Sequence, residues 1–377
     1  MYCTSIADRT AAMVRGLLFA SAALLASGAH AQFSNPEWPK TDFSKTLVDL
    51  AEIQSGGPPK DGIPAIDHPR FVTPAHAAAW LDPREPVIVV ALEGKARAYP
   101  LQILVWHEIV NDVLAGIPVS VTFCPSCNAS LVFDRRHEGR VLDFGTTGRL
   151  RKSDLVMYDR QTETWWQQFT GKAIVGTLAG STLEQIPASI VAFEDFRRTH
   201  PDAEVLSTDT GHTRDYGSNP YAGYDDVDSH PFLFNDEVDP RLRAMERVLN
   251  ITIGDTHRLY PFSALAETPV INEAVNGVDV AVFSRPGTLS ALDRAVIAQS
   301  RTLPSATAWL RQLDGQRLDF RLRDGAIEDE QTGSRWSLLG VAQSGPLAGQ
   351  QLTPAPSGVH FAFAWLAFYP QSTIYGR

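Results

Sequence analysis

GIPVSVTFCPSC, residues 116–127, returns later in the chain as GVDVAVFSRPGT, residues 277–288. Each copy is a glycine turn followed by a run rich in β-branched residues, which reads as a strand. Working outward, ARAYPLQ (96–102) returns as HRLYPFS (257–263), and IVND (109–112) as VINE (270–273). GRVLDF (139–144) returns as GQRLDF (315–320), DRQTETWW (159–166) as DEQTGSRW (329–336), and GTLAGSTL (176–183) as GPLAGQQL (345–352). Blocks matched in one order point to a duplicated unit, and the period is far longer than that of a solenoid. The fold expected is mainly β (α+β): two tandem, pseudo-symmetric copies of a strand-rich unit with a few short helices, packed face to face.

The chain divides accordingly. Residues 1–31 read as a secretory signal: arginines, an apolar run over 16–28, and the small-residue site Ala29-His30-Ala31. The apolar run is too short to span a bilayer. Residues 32–85 are a lead-in, with helices expected over 43–53 and 74–81. Residues 86–206 form the first unit. Residues 207–246, rich in Gly, Pro, Asp and Tyr, form an ordered irregular connection. Residues 247–377 form the second unit. Within the first, strands are expected over 86–93, 95–99 and 118–123, and a helix over 101–113, which sets His107 and Asn111 on one face. Residues 131–134 and 140–144 are expected to pair, as are 155–158 and 164–169.

The chain has 377 residues and a net charge of -10, a poor match for nucleic acid or an anionic membrane surface. The signal implies a periplasmic or secreted protein with no membrane span, whose partner is an unknown protein or small molecule. Cleavage removes Cys3, so Cys124 and Cys127 are left as one CxxC pair.

The comparison between copies separates scaffold from chemistry. Tyr99 and Tyr260, Pro100 and Pro261, and Trp166 and Trp336 recur, so folding alone accounts for them. Cys124 and Cys127 are matched by Arg285 and Thr288, and His107 and Glu108 have no counterparts before Val270. The CxxC admits three readings. A structural disulfide would close a very small loop and constrain the unfolded chain little. A thiol–disulfide redox centre wants its first sulfur at a helix N-terminus, and here a strand precedes it. A metal site would take thiolates from Cys124 and Cys127, an imidazole from His107 and a thioether from Met157, a soft set suited to copper first and zinc second. Glu108, Asn111 and Asp112 would orient the ligands, and Trp165, which is Arg335 in the second copy, would face the site. His107-Glu108 does not begin a zinc-protease helix, because Asn111 stands where HExxH needs histidine. The expectation is an exported soft-metal-binding protein, copper preferred. The alternatives are a thiol–disulfide oxidoreductase and a non-catalytic binding module. The residues do not decide whether the chain is an enzyme.

RAYPLQILVWHEIVND, PVSVTFCPSCNASLVFDR, FGTTGRLRKSDLVMYDRQTETWWQQFTGKAIVG and RDYGSNPY together resemble the family named domain of unknown function 3179. The resemblance covers roughly residues 86–375. It implies an exported bacterial or archaeal protein and carries no activity with it.

Overall fold

A computed structural model describes residues 36–377; the signal-peptide reading and Cys3 lie outside them. Strands take 42% of the chain and helices 12%, so the expected strand-rich class holds. Among the described residues no helix is long and apolar enough to cross a membrane.

Three sheets build the first half. Pro86–Leu92 and Lys95–Pro100 form a hairpin, flanked by Ala188–Ala192 on one side and by Glu204–Leu206, running parallel, on the other. Ile109–Leu114, Ile117–Cys124 and Ala129–Asp134 form an antiparallel meander, closed by Gln185–Ile186. Ile53–Ser55, Phe144–Arg151, Asp154–Asp159, Trp165–Gln167 and Lys172–Val175 make the third. The second half repeats this order: Ser357–Phe361, Arg247–Ile253, Thr256–Pro261 and Thr373–Ile374; then Val270–Val275, Val278–Leu289 and Thr302–Leu310; then four strands from Phe320 to Ser344.

Local contacts recur with the order. Trp166 Nε1 donates to Asp159 Oδ2 at 2.9 Å, and Trp336 Nε1 donates to Asp329 Oδ2 at the same distance. Asn111 brackets the Phe144 backbone at 2.8 and 3.0 Å, and Asn272 brackets Phe320 at 2.7 and 2.9 Å. Tyr99 and Arg97 hold Asp112 as Tyr260 and Arg258 hold Glu273. What recurs between the halves is the order of strands and these contacts. The halves share core: one buried cluster joins Ile88, Val121, Cys124 and Cys127 with Val248, Leu259, Phe361 and Trp365.

Several expected elements differ. The helix of 101–113 is only Leu101–His107. Glu108 turns left-handed, φ 58°, and Ile109–Leu114 is a strand paired with Ile117–Cys124. The run IVNDVL has the β-branched residues of a strand, and pairing overrides the helical spacing. His107 and Asn111 therefore do not share a helix face. The 43–53 helix is a single 3₁₀ turn, Leu50–Glu52, capped by Asp49; Ile53–Ser55 is drawn into a sheet against Arg149–Arg151. Pro74–Ala77 is shorter than expected. Residues 131–134 pair with the Ile117–Cys124 strand and not with 140–144, of which Arg140–Val141 forms a small ribbon with Arg136–His137. The lead-in locks onto the Phe144–Arg151 strand at its bulge. Gly148 has φ +71°, and a Cβ there would lie 2.0 Å from the Pro58 carbonyl oxygen. Only glycine fits that approach.

Candidate metal centre

The Ile117–Cys124 strand is buried on both faces from Val119 onward and ends at Cys124. Pro125 fixes φ and opens the 3₁₀ turn Pro125–Cys127. Asn128, φ 48°, closes it, and Ala129 returns as the next strand, opposite Cys124. Asparagine tolerates that left-handed conformation better than most residues. The two sulfurs thus sit at the tip of a hairpin folded into the core, 1% and 0% exposed, and both are free thiols.

A second hairpin meets them. Arg151 pairs with Asp154, which leaves Lys152-Ser153 as a two-residue loop with φ 53° and 67°. Two positive φ values are the type I′ turn, normally filled by Asn-Gly. The left-handed region costs a residue with a side chain about 1–2 kcal/mol. The turn aims the Ser153 carbonyl at the cysteine loop. That oxygen accepts from Ser126 Oγ at 2.5 Å, Cys127 Sγ at 3.3 Å and Cys124 Sγ at 3.8 Å.

Asp154 follows. Its Oδ2 accepts from Gln167 Nε2 at 2.5 Å and from the Phe169 amide at 2.9 Å. Its Oδ1 is buried with no hydrogen-bond partner. Ligand atoms of Cys124, Cys127 and Asp154 lie within 4.8 Å of one another, the one such group of three His, Cys, Asp or Glu side chains among the described residues. Burial pushes the Asp154 carboxyl up to about 7, which the bonds from Gln167, the Phe169 amide and the Cys127 thiol only partly offset. Burial also raises the Cys127 thiol well above its ordinary value, and lifts the nearby Glu108 carboxyl to about 8. The Asp154 carboxyl and the Cys127 thiol, two of the three grouped donors, thus resist ionising in isolation and sit where one cation would favour both anions together.

The residues expected at the site are distributed more widely. Cys124 and Cys127 are brought together. His107 is not in their donor group. Its Nδ1 meets the Pro64 carbonyl at 2.7 Å and its Nε2 the Tyr216 hydroxyl at 2.7 Å, so both ring nitrogens are engaged. Met157 is three residues beyond Asp154, about 10 Å along the strand at roughly 3.3 Å per residue. It pairs with Trp166 as Ile327 pairs with Trp336, a core position in both halves. Glu108 is buried and accepts from Tyr221 Oη at 3.4 Å. Asn111 and Asp112 hold the backbone of Phe144 and the side chains of Arg97 and Tyr99, contacts found in both halves. Trp165 is buried in a separate cluster with Trp38, Tyr158 and Val175.

Asp154 was legible only in a difference of length. From Phe144 to its partner Asp159 the hairpin has six residues more than from Phe320 to its partner Asp329. The extra residues extend the first hairpin far enough to deliver Ser153 and Asp154 to the thiols.

Fold and site together define a strand-rich protein with two thiols and a carboxylate converging in its core. The chain belongs to the family described as Protein of unknown function (DUF3179), whose family model matches residues 60–372. Neither a curated protein nor a solved structure matches the chain.

Proposed function

We propose that this protein is an exported metal-binding protein that holds one ion between Cys124, Cys127 and Asp154, with zinc preferred to copper. The observation that carries the reading is Asp154 Oδ1, buried without a partner and grouped with both sulfurs. An unpaired buried carboxylate oxygen is costly, and a cation relieves it. The carboxylate is also what favours zinc: oxygen is a harder ligand than imidazole or thioether, and Zn(II) accepts Cys, His and Asp alike, whereas Cu(I) favours sulfur. Three protein ligands leave a fourth position for water or another molecule, as in zinc sites that stay chemically open. Export rests on the signal reading of residues 1–31. The second half, with Thr288 where Cys127 stands in the first, serves in this reading as scaffold.

The thiol–disulfide alternative is less well supported. A reactive cysteine has a lowered pKa and some exposure, and Cys127 has neither.

Metal analysis of the full chain purified without oxygen tests the proposal. The expected result is one equivalent of zinc per chain, lost in Cys124→Ser and in Cys127→Ser, with zinc retained in competition with copper under reducing conditions. Protein with no metal and two free thiols, or with a Cys124–Cys127 disulfide that resists metal loading after reduction, would sink it. The carboxylate's support is separately testable. Gln167→Leu removes the bond at 2.5 Å to Asp154 Oδ2, and zinc affinity is expected to fall by about 10–100-fold, measured by chelator competition.

A further inference from the structure

Three tyrosines from the connection reach down onto the residues around the thiols. Tyr216 Oη meets His107 Nε2 at 2.7 Å and Thr210 Oγ1 at 2.6 Å. Tyr221 Oη donates to Glu108 Oε1 at 3.4 Å, and Tyr224 Oη donates to the Ser126 carbonyl, inside the CxxC, at 2.9 Å. All three rings are half-buried, while the cysteines beneath are at most 1% exposed. Burial chiefly raises the Tyr221 and Tyr224 hydroxyls, and the nearby cysteine sulfurs add to it, which places both hydroxyls beside the thiols.

The segment that carries them is irregular but anchored at defined points. Gly217 and Gly223, φ 92° and 78°, bracket Tyr221. The Gly223 amide donates to the Asp293 carbonyl at 2.6 Å, the Asn219 amide to Ala295 at 2.9 Å, and the Ile297 amide to Gly217 at 3.0 Å. Lys152, on the turn that supplies Ser153, is tied to Asp236 at 2.6 Å with both groups partly exposed. The backbone is therefore fixed to the second half, while it meets the first half through tyrosine hydroxyls and the rings that carry them, the buried Phe234, a bond from Trp106 Nε1 to the Ser218 carbonyl at 3.2 Å and one surface ion pair. Surface pairs of that kind contribute little.

We propose that residues 210–236 are a gate over Cys124, Cys127 and Asp154, latched by the hydroxyls of Tyr221 and Tyr224, and that the gate sets how fast the site exchanges its occupant. Control of metal exchange rests on the metal reading; control of access to the thiols does not. A group enclosed this completely is reached only by local opening, and the free energy of that opening is set by the contacts broken. Each hydroxyl removed at a hydrogen bond of ordinary strength speeds opening by roughly fivefold.

The test uses metal-free, reduced full chain with Cys3→Ser, so that only Cys124 and Cys127 react. Labelling by 5,5′-dithiobis(2-nitrobenzoate) is followed in native buffer. Tyr221→Phe with Tyr224→Phe is expected to speed labelling by about 10–30-fold, with the urea midpoint lowered by no more than the same loss and labelling still far faster than global unfolding. An unchanged rate, or labelling that occurs at the global unfolding rate in both proteins, overturns the gate. Hydrogen exchange on the unsubstituted chain is a second measure that needs no variant. Amides of Ser126, Cys127 and Asn128, in the buried turn beneath the segment, must exchange faster than those of residues 119–123; equal protection overturns the gate. Chelator-driven zinc loss from loaded protein should accelerate by the same factor as labelling. Faster labelling in a chain that holds no zinc leaves the gate standing and removes the metal reading. One bound zinc with unaltered labelling does the reverse.

Discussion

Asp225→Asn is expected to destabilise the folded chain by about 3–5 kcal/mol, the cost of leaving a buried partner charge uncompensated. The Asp225 side chain is 0% exposed and that of Arg247 is 7% exposed, with NH2 and Oδ2 2.8 Å apart. Ser290 Oγ also donates to that oxygen, at 2.5 Å, and Arg301 NH2 lies 2.9 Å from it. Asparagine keeps the shape and removes the charge. The Arg247 guanidinium stays, in surroundings that already hold its pKa below the usual range by burial, against the pull of Asp225. Asp226, the next residue, is exposed and serves as the control: Asp226→Asn should change stability by less than about 0.5 kcal/mol. Urea unfolding of both variants reads the difference as a shift in midpoint at constant slope. Equal midpoints would mean that Arg247 finds water or another anion and that the pair does not hold the connection. The pair matters for function because Asp225 follows directly on Tyr224. It is the rivet that keeps the tyrosine segment in register with the second half while the hydroxyls facing the first half remain free to part.

Residues repeated in both halves are legible in the sequence, because each has a structural partner that can be named. Trp166 with Asp159 and Asn111 with Phe144 have matching contacts 2.7–3.0 Å long in the second half. The CxxC, absent from the second copy, was legible as chemistry for the same reason. His107 is close to the CxxC along the chain, yet its imidazole is not among the donor atoms grouped around the sulfurs. The hairpin of Ile109–Leu114 and Ile117–Cys124 does bring the chain back, since the Phe123 amide donates to the Glu108 carbonyl at 2.8 Å. The left-handed turn at Glu108 follows, but the imidazole is held between Pro64 and Tyr216. No periodicity in the sequence encodes that choice. Asp154 escaped because a lone aspartate before an apolar strand reads as a turn residue. Its meaning depends on which loop the turn meets, and that is tertiary.

Between pH 6.5 and 8.5, metal-free protein is expected to lose stability as the pH rises, while zinc-loaded protein is not. The sign follows from proton counts. In the fold the Asp154 carboxyl sits near 7 against an ordinary 3.8, and Glu108 near 8 against 4.5, both chiefly through burial. Below about pH 4 both states hold these protons and the two groups contribute no difference. Above that, the unfolded chain has released protons that the native state still holds, so stability falls until the native groups ionise too. The slope is about 1.4 kcal/mol per pH unit for each carboxyl while the difference lasts. His107 and His360 act in the opposite sense, since burial lowers them to about 4 and about 3. Their contribution grows as pH rises to about 6.5 and is constant above it, where they are neutral in both states. Above 6.5 the histidines drop out; the carboxyls left to ionise are Asp154, Glu108 and Glu85, which burial also lifts to about 7, and the Cys127 thiol, raised by burial, adds to the same loss at the alkaline end. Zinc changes the balance: binding deprotonates Asp154 and both thiols, so it strengthens with pH. Free zinc at 1,000 times its dissociation constant adds about 4 kcal/mol. Urea midpoints at pH 6.5, 7.5 and 8.5, with chelator and with zinc, should diverge upward in pH. Glu108→Gln should flatten the chelator series without abolishing the zinc effect, because Glu108 lies outside the donor group; Asp154→Asn should flatten it and weaken the zinc effect as well. A chelator series whose slope is not reduced at all in either variant, with Glu85 left to account for the whole of it, would mean that Asp154 and Glu108 ionise freely in the fold, and a metal centre built on a carboxylate forced to share one buried point with two thiols would lose its physical basis.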